Sequence, residues 1–210
     1  MWTLSGFADE ISPDLDEQVA LVTQLGLRYI ELRSAWDVNV LDLDPDQLQR
    51  VKTTLDAAGL GVSSIGSPIG KIAITDDNAP HLERMRHAAE VARFFDAPYI
   101  RMFSYFMPEG ADVDDYRDEV ISRLRKLAVI AEDGGVTLIH ENEKDIFCDI
   151  PRRCLDIVEA VHSPALKLTW DNANFVQCGV RPFSEGYAML SPHVAMKRCQ
   201  DRFSSPGRIG

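Results

Sequence analysis

Short apolar runs alternate with amphipathic stretches along almost the whole chain, and that alternation leaves few folds open to it. Trp2–Phe7 reads as a first strand, and Leu15–Leu25 as a helix with apolar residues at 15, 19, 22 and 25. Ser12-Pro13 starts that helix and Gly26 stops it. Arg28–Leu32 gives a second strand, and Asp44-Pro45 opens a helix to about Ala58. Val62–Ile65 is the third strand, and Asn78 and Pro80 suit the N-cap and first turn of a helix to about Phe95. Tyr99–Ser104 forms the fourth strand, and a helix from about Val113 to Asp133 stops at Gly134-Gly135. The fifth strand carries Glu141, a helix runs from Ile150-Pro151 to Val161, and the sixth strand carries Asp171. A short helix near Phe183–Leu190 precedes a strand stub at His193–Ala195.

Successive βα units with short connections predict a parallel sheet with helices outside it. Periodicity alone allows an open doubly wound sheet or a closed barrel. A spacing of about thirty residues per unit suits the (β/α)8 barrel, which takes about 250 residues. This chain has 210. No G-x-G-x-x-G fingerprint follows the first strand, which weakens the dinucleotide-binding alternative. The expectation is an incomplete barrel of about six βα units and the start of a seventh. It would occupy residues 1–195, with an atypical, poorly ordered basic tail over 196–210. That tail carries a net charge of +3, against −14 for the residues before it.

A net charge of −11 repels phosphate backbones, so nucleic acid is a poor partner. No apolar run is long enough to span a bilayer, and the reading is a soluble cytoplasmic protein. The four cysteines, Cys148, Cys154, Cys178 and Cys199, form no C-x-x-C pair and read as buried free thiols.

Two acids stand at the ends of neighbouring predicted strands, Glu141 in the run Val136–Glu143 and Asp171 in Ala165–Asn174. Parallel strands deliver such residues to one rim of a barrel, where sites are built. Hard carboxylate oxygens there suit Mg²⁺ or Mn²⁺, while paired with Lys or Arg they would be ordinary strand-end acids. Glu143 is a rival ligand, whereas His140 and Asn142 face the other way on a continuing strand. Asn174 could orient a ligand or simply make a turn. Glu31, Arg33, Ser67, Lys71, Arg101 and Ser104 supply further polar groups at strand ends. Arg101 could pair with Glu141 or hold a substrate oxygen. Trp36, Phe106 and Phe175 could wall an apolar sugar face or belong to the core.

Gly6-Phe-Ala-Asp-Glu10, Tyr29-Ile-Glu-Leu-Arg33, His140-Glu-Asn-Glu143 and Trp170-Asp-Asn-Ala-Asn-Phe175 together resemble the sugar phosphate isomerase/epimerase superfamily of xylose isomerase-like barrels. The resemblance implies a metal-dependent isomerase or epimerase acting on a ketose, inosose or related polyol. Its divalent ion, Mn²⁺ or Mg²⁺ and in some cases Zn²⁺, would be held by Glu141 and Asp171 with later ligands on strands seven and eight. Glu141 would double as the proton-transferring group, with Glu31, Lys71, Arg101 and Asn174 toward substrate. Beyond Ala195 the sequence departs from that pattern, as a truncated or frame-shifted member would, and Arg198 falls near an expected ligand position. The departure predicts weak metal binding, little or no isomerase activity, and self-association through exposed barrel edges. The alternative is a non-catalytic sugar-binding or interaction protein. A nuclease of the apurinic endonuclease kind ranks last, because position 174 is Asn where a histidine ligand would help.

Overall fold

The computed structural model describes residues 3–198. After a 3-10 turn at Ala8–Glu10, α1 (Leu15–Gln24) starts where the Asp14 carboxylate accepts from the backbone N–H groups of Asp16 and Glu17. Strand β1 (Tyr29–Leu32) leads into a small hairpin, β2 (Ser34–Ala35) with β3 (Val38–Asn39). Helix α2 (Pro45–Ala57) opens with a complete capping box between Asp44 and Gln47. Then come β4 (Gly61–Ile69), α3 (Ala79–Phe94), β5 (Tyr99–Met102), α4 (Arg117–Gly134) and β6 (Thr137–Glu141). The chain continues through α5 (Pro151–Val161), β7 (Leu166–Asp171), α6 (Asn172–Gln177), α7 (Ala188–Leu190) and β8 (Val194–Arg198).

Six of these strands form one parallel sheet in the order β1-β4-β5-β6-β7-β8. Each crossover between neighbours carries a helix, the connection that parallel pairing demands. This is the incomplete (β/α)8 barrel that the strand–helix alternation predicts. Its core joins the apolar stripes of the helices to the sheet: Leu15 and Val22 from α1, Val51 and Leu55 from α2, Met85 and Ala88 from α3, Leu124 and Leu127 from α4, Ile157 from α5.

Several boundaries differ from expectation, each for a physical reason. The first strand falls partly outside the described residues, and its described part, residues 3–7, carries no ladder. Its hydrogen bond to β1 is the Glu31 N–H to the Gly6 carbonyl at 2.9 Å, and one bond does not make a strand. Asn78 precedes α3 as expected but makes no side-chain cap; the Asp77 carboxylate accepts from the Ala79 N–H instead. Helix α6 was not foreseen, and it forms because Asp171 caps it. The stub at His193–Ala195 is a full strand reaching Arg198, three residues past the expected end of the barrel domain. Residues 199–210, most of the expected tail, lie outside the described residues.

The free-thiol reading is overturned for two cysteines. Cys148 and Cys154 are joined in a disulfide, with Cα atoms 4.9 Å apart across the entry to α5. Cys178 is a free thiol, and Cys199 lies outside the described residues.

Candidate functional site

Register decides which side chains share the inner face of the sheet. Glu31 is level with Ser64, Arg101 with Ile139, Glu141 with Thr169, and Asp171 with Arg198. Glu141 lies two residues beyond Ile139, so it projects to the same side as Arg101. The result is a charged cluster at the C-terminal ends of the strands, in which Glu31, Arg101, Glu141, Asp171 and Arg198 are all buried.

Its centre is the Arg198 guanidinium. Nη2 donates to Glu31 Oε2 at 2.8 Å, and Nε lies 3.2 Å from Glu141 Oε2. Arg101 Nη1 approaches the same Glu141 oxygen at 3.5 Å. Ser64 Oγ donates to Glu31 Oε2 at 3.3 Å. Beneath the cations lies the ring of Phe7, with the guanidinium carbons of Arg198, Arg33 and Arg101 at 4.3, 4.7 and 4.9 Å from its centroid. Arg33 is anchored by Asp9 at 2.7 Å, which ties the turn after residues 3–7 to the end of β1.

Burial pushes the Glu141 carboxyl up from its ordinary value, opposed by the Arg198 and Arg101 charges and assisted by the neighbouring Asp171. A buried carboxylate with raised basicity and cations at hand can accept a proton from carbon and stabilise the charge left behind. Asp171 is tied into the backbone as the cap of α6, its Oδ1 accepting from the Asn174 N–H at 2.9 Å.

The other sequence-predicted residues divide. Lys71 pairs with Glu143 at 2.8 Å and lies 4.3 Å over Phe103, a ring it shares with Arg101 at 5.1 Å. Lys71 therefore belongs to the cluster's margin. Asn174 does not reach it: its Nδ2 donates to the Asn142 carbonyl at 2.9 Å. Asn142 in turn clasps the Asp171 backbone with both ends of its amide. Ser67 donates to the Arg101 carbonyl, and Ser104 accepts from the Cys148 N–H. Phe175 packs edge-on against Trp170 in the core, and Trp36 stacks under Arg50, outside the cluster. Phe106 forms backbone bridges to Ala73 and Ile146. His140 is fully buried on the outer face and held neutral, its pKa pushed down to about 3 by desolvation. Sequence reasoning missed the Phe7 platform and Ser64; for Ser64 the signal was its place in a strand facing Glu31.

A cavity of about 1180 Å³ opens between the sheet edges, lined by residues 3–7, the starts of β1, β4 and β5, one side of α2, and residues 195–198 of β8. It reaches the cluster from below, at Glu31 and Arg198.

A divalent ion does not fit the residues present. Among the described residues no three His, Cys, Asp or Glu side chains group as a metal would require. Two guanidiniums lie against Glu141 Oε2, so a cation bound to that oxygen would sit beside both.

A parallel α/β sheet curled toward a barrel, with a charged cluster at the C-terminal rim, defines the class: a barrel protein of the (β/α)8 type. Residues 19–206 match the family model described as xylose isomerase-like TIM barrel, and the chain belongs to that family. Solved structures agree in fold. A xylose isomerase-like TIM barrel protein from Mycobacterium smegmatis in complex with magnesium is 21% identical, with a TM-score of 0.76 over 95% of this chain and 76% of that one. A D-tagatose 3-epimerase-like protein is 18% identical, with a TM-score of 0.76 over 94% and 76%. The probable 3-DHS dehydratase AsbF from Bacillus anthracis is 17% identical, with a TM-score of 0.75 over 93% and 72%. A comparison with curated proteins finds no match.

Proposed function

We propose that this chain binds a small ketose, inosose or related polyol at the charged cluster, and that Glu141 moves a proton at the carbon next to the carbonyl, as in an isomerase or epimerase. The observation that carries the reading is the Glu141 carboxyl, buried at the strand-end rim with Arg101 and Arg198 on one of its oxygens. In the forward step the Glu141 carboxylate takes the carbon-bound proton, and the electron pair moves to the carbonyl oxygen. A guanidinium then holds the resulting enediolate oxygen. Return of the proton to the neighbouring carbon, with the hydroxyl proton passing from one oxygen to the other, gives the isomer; the epimer needs a second proton donor on the opposite face of the carbon, which Glu141 alone does not supply. The names of the structural neighbours, among them D-tagatose 3-epimerase-like and 3-keto-D-glucoside 4-epimerase proteins, support sugar chemistry.

The metal-dependent form of this chemistry, which the family resemblance implies, meets the disagreement described above. Glu141 and Asp171 are the residues that would hold an ion, and Arg198 lies against Glu141. That same contact favours a second reading, a sugar-binding protein without turnover, because the base is already engaged. Self-association belongs to either reading, since β1 and β8 are the edge strands of the sheet. Among the described residues no helix is long and apolar enough to cross a membrane. A cytoplasmic setting is part of the reading too, although the Cys148–Cys154 bridge is more at home in an oxidising compartment.

Incubation with a panel of ketoses and inososes in deuterated water, followed by NMR, tests turnover. Deuterium entering beside the carbonyl, and lost in Glu141→Gln, establishes proton transfer. Calorimetric binding with no exchange selects the binding-protein reading, and neither binding nor exchange across the panel refutes the sugar site.

A further inference from the structure

Arg198 ends β8 level with Asp171; the residue is buried, and so are the two acids it touches. Glu31 lies on β1 and Glu141 on β6, and Arg198 spans them from β8 with one nitrogen to each. Arg101 adds a second cation from β5. Two guanidiniums offset the charges of Glu31 and Glu141, and of the three acids in the cluster only Asp171 is left over, so most of its charge is balanced without an ion from solution. A divalent ion at Glu141 Oε2 would lie beside both guanidiniums and be repelled by each. Displacing the Arg198 head group instead would strand a guanidinium in the barrel interior, where an unpaired charge is costly.

We infer that the cation of this site is built into the chain: Arg198 stands where a divalent metal would bind Glu141, holding Glu31 and Glu141 together and making the site independent of metal. The inference concerns the same cluster as the sugar-binding reading, but it rests on charge and contact and requires no turnover. A guanidinium with a fixed planar fork also selects differently from an ion. With Nη2 given to Glu31 and Nε held against Glu141, the donors it has left for a ligand lie in the guanidinium plane, where a metal would take two neighbouring oxygens of a polyol into its own shell. The ligand it suits carries a single carbonyl or carboxylate oxygen at the contact point, and chelation of a vicinal diol is not required.

The test uses the full chain and Mn²⁺ alone, followed by electron paramagnetic resonance of the free ion and by thermal melts. For the unaltered protein, the expected result is no saturable Mn²⁺ binding into the millimolar range and no Mn²⁺-dependent change in Tm. Arg198→Ala removes the guanidinium and exposes both carboxylates, so it should gain Mn²⁺ binding at least tenfold tighter and a Tm that rises with the ion. If Arg198→Ala does not fold, Arg198→Gln removes the cation but leaves a polar side chain between Glu31 and Glu141, and the same gain is expected of it. One Mn²⁺ bound per unaltered chain at micromolar concentration, and lost in Glu141→Gln, would overturn the inference. So would a folded Arg198 variant that gains no affinity for the ion. Because no sugar is present, either failure leaves the sugar-binding reading standing, and a failure of sugar binding leaves this one intact.

Discussion

His81 holds the loop that carries Lys71, and acid should release it. The imidazole Nε2 accepts from the buried Gly70 N–H at 2.6 Å, so the ring is neutral with its proton on Nδ1. Gly70 has φ +86, and a Cβ there would fall 2.0 Å from the Phe103 carbonyl oxygen. The turn therefore depends on glycine and on its fixings: the Gly70 carbonyl accepts from Tyr105, and the N–H is given to His81. Replacing His81 with Leu keeps apolar volume but leaves a buried donor unpaired, at a cost of about 1–3 kcal/mol. Burial, with the Arg84 and Arg123 charges nearby, pushes the His81 pKa down from 6.5 to about 4. The sign of the pH effect follows. Below about 6.5 the unfolded chain binds a proton that the folded one refuses until about 4, so the unfolded state gains as pH falls. The His81 contribution is therefore complete above about 6.5 and vanishes as pH falls through about 4. Urea melts of His81→Leu and the unaltered protein should differ most near neutrality and converge toward pH 4. A gap that stays constant over that range would show that His81 contributes only packing, and the argument from its hydrogen bond would fall.

Two further outcomes are expected. Gly66→Ala puts a Cβ 2.6 Å from the Arg33 Cβ and 2.9 Å from both the Arg33 Cα and Phe7, contacts that include backbone and cannot simply swing away. It should cost about 1–3 kcal/mol in urea melts and, by shifting Phe7, weaken whatever the cluster binds; unchanged stability would refute the close packing. Thiol titration of the unfolded chain without reductant should count two of the four cysteines, and all four after reduction, whereas four at once would show that Cys148 and Cys154 are not bonded.

What the sequence determined by itself was everything governed by local period and local caps. Helices α1, α2 and α5 fall where apolar spacing and their Pro, Asp and Gly punctuation put them. Strand-end acids reach one rim because residues at the ends of parallel strands have nowhere else to go, so Glu141, Arg101 and Glu31 were legible as neighbours. Contacts set by partners distant in sequence were not. Residues 3–7 look like a strand on propensity, yet a strand exists only through its ladder, and one bond to β1 is not a ladder. Asn174 reads as a substrate-facing or turn residue, but that its amide donates to the Asn142 carbonyl just past β6 could not be read from the sequence. Cys148 and Cys154 gave no motif, because their pairing depends on how the chain turns into α5. Arg198 is the sharpest case. Its charge and its place near a ligand position could be read from the sequence, but not its partners. Tertiary structure alone decides those, because Glu31 is 167 residues away and only the curl of the sheet brings β1 and β8 to the same guanidinium.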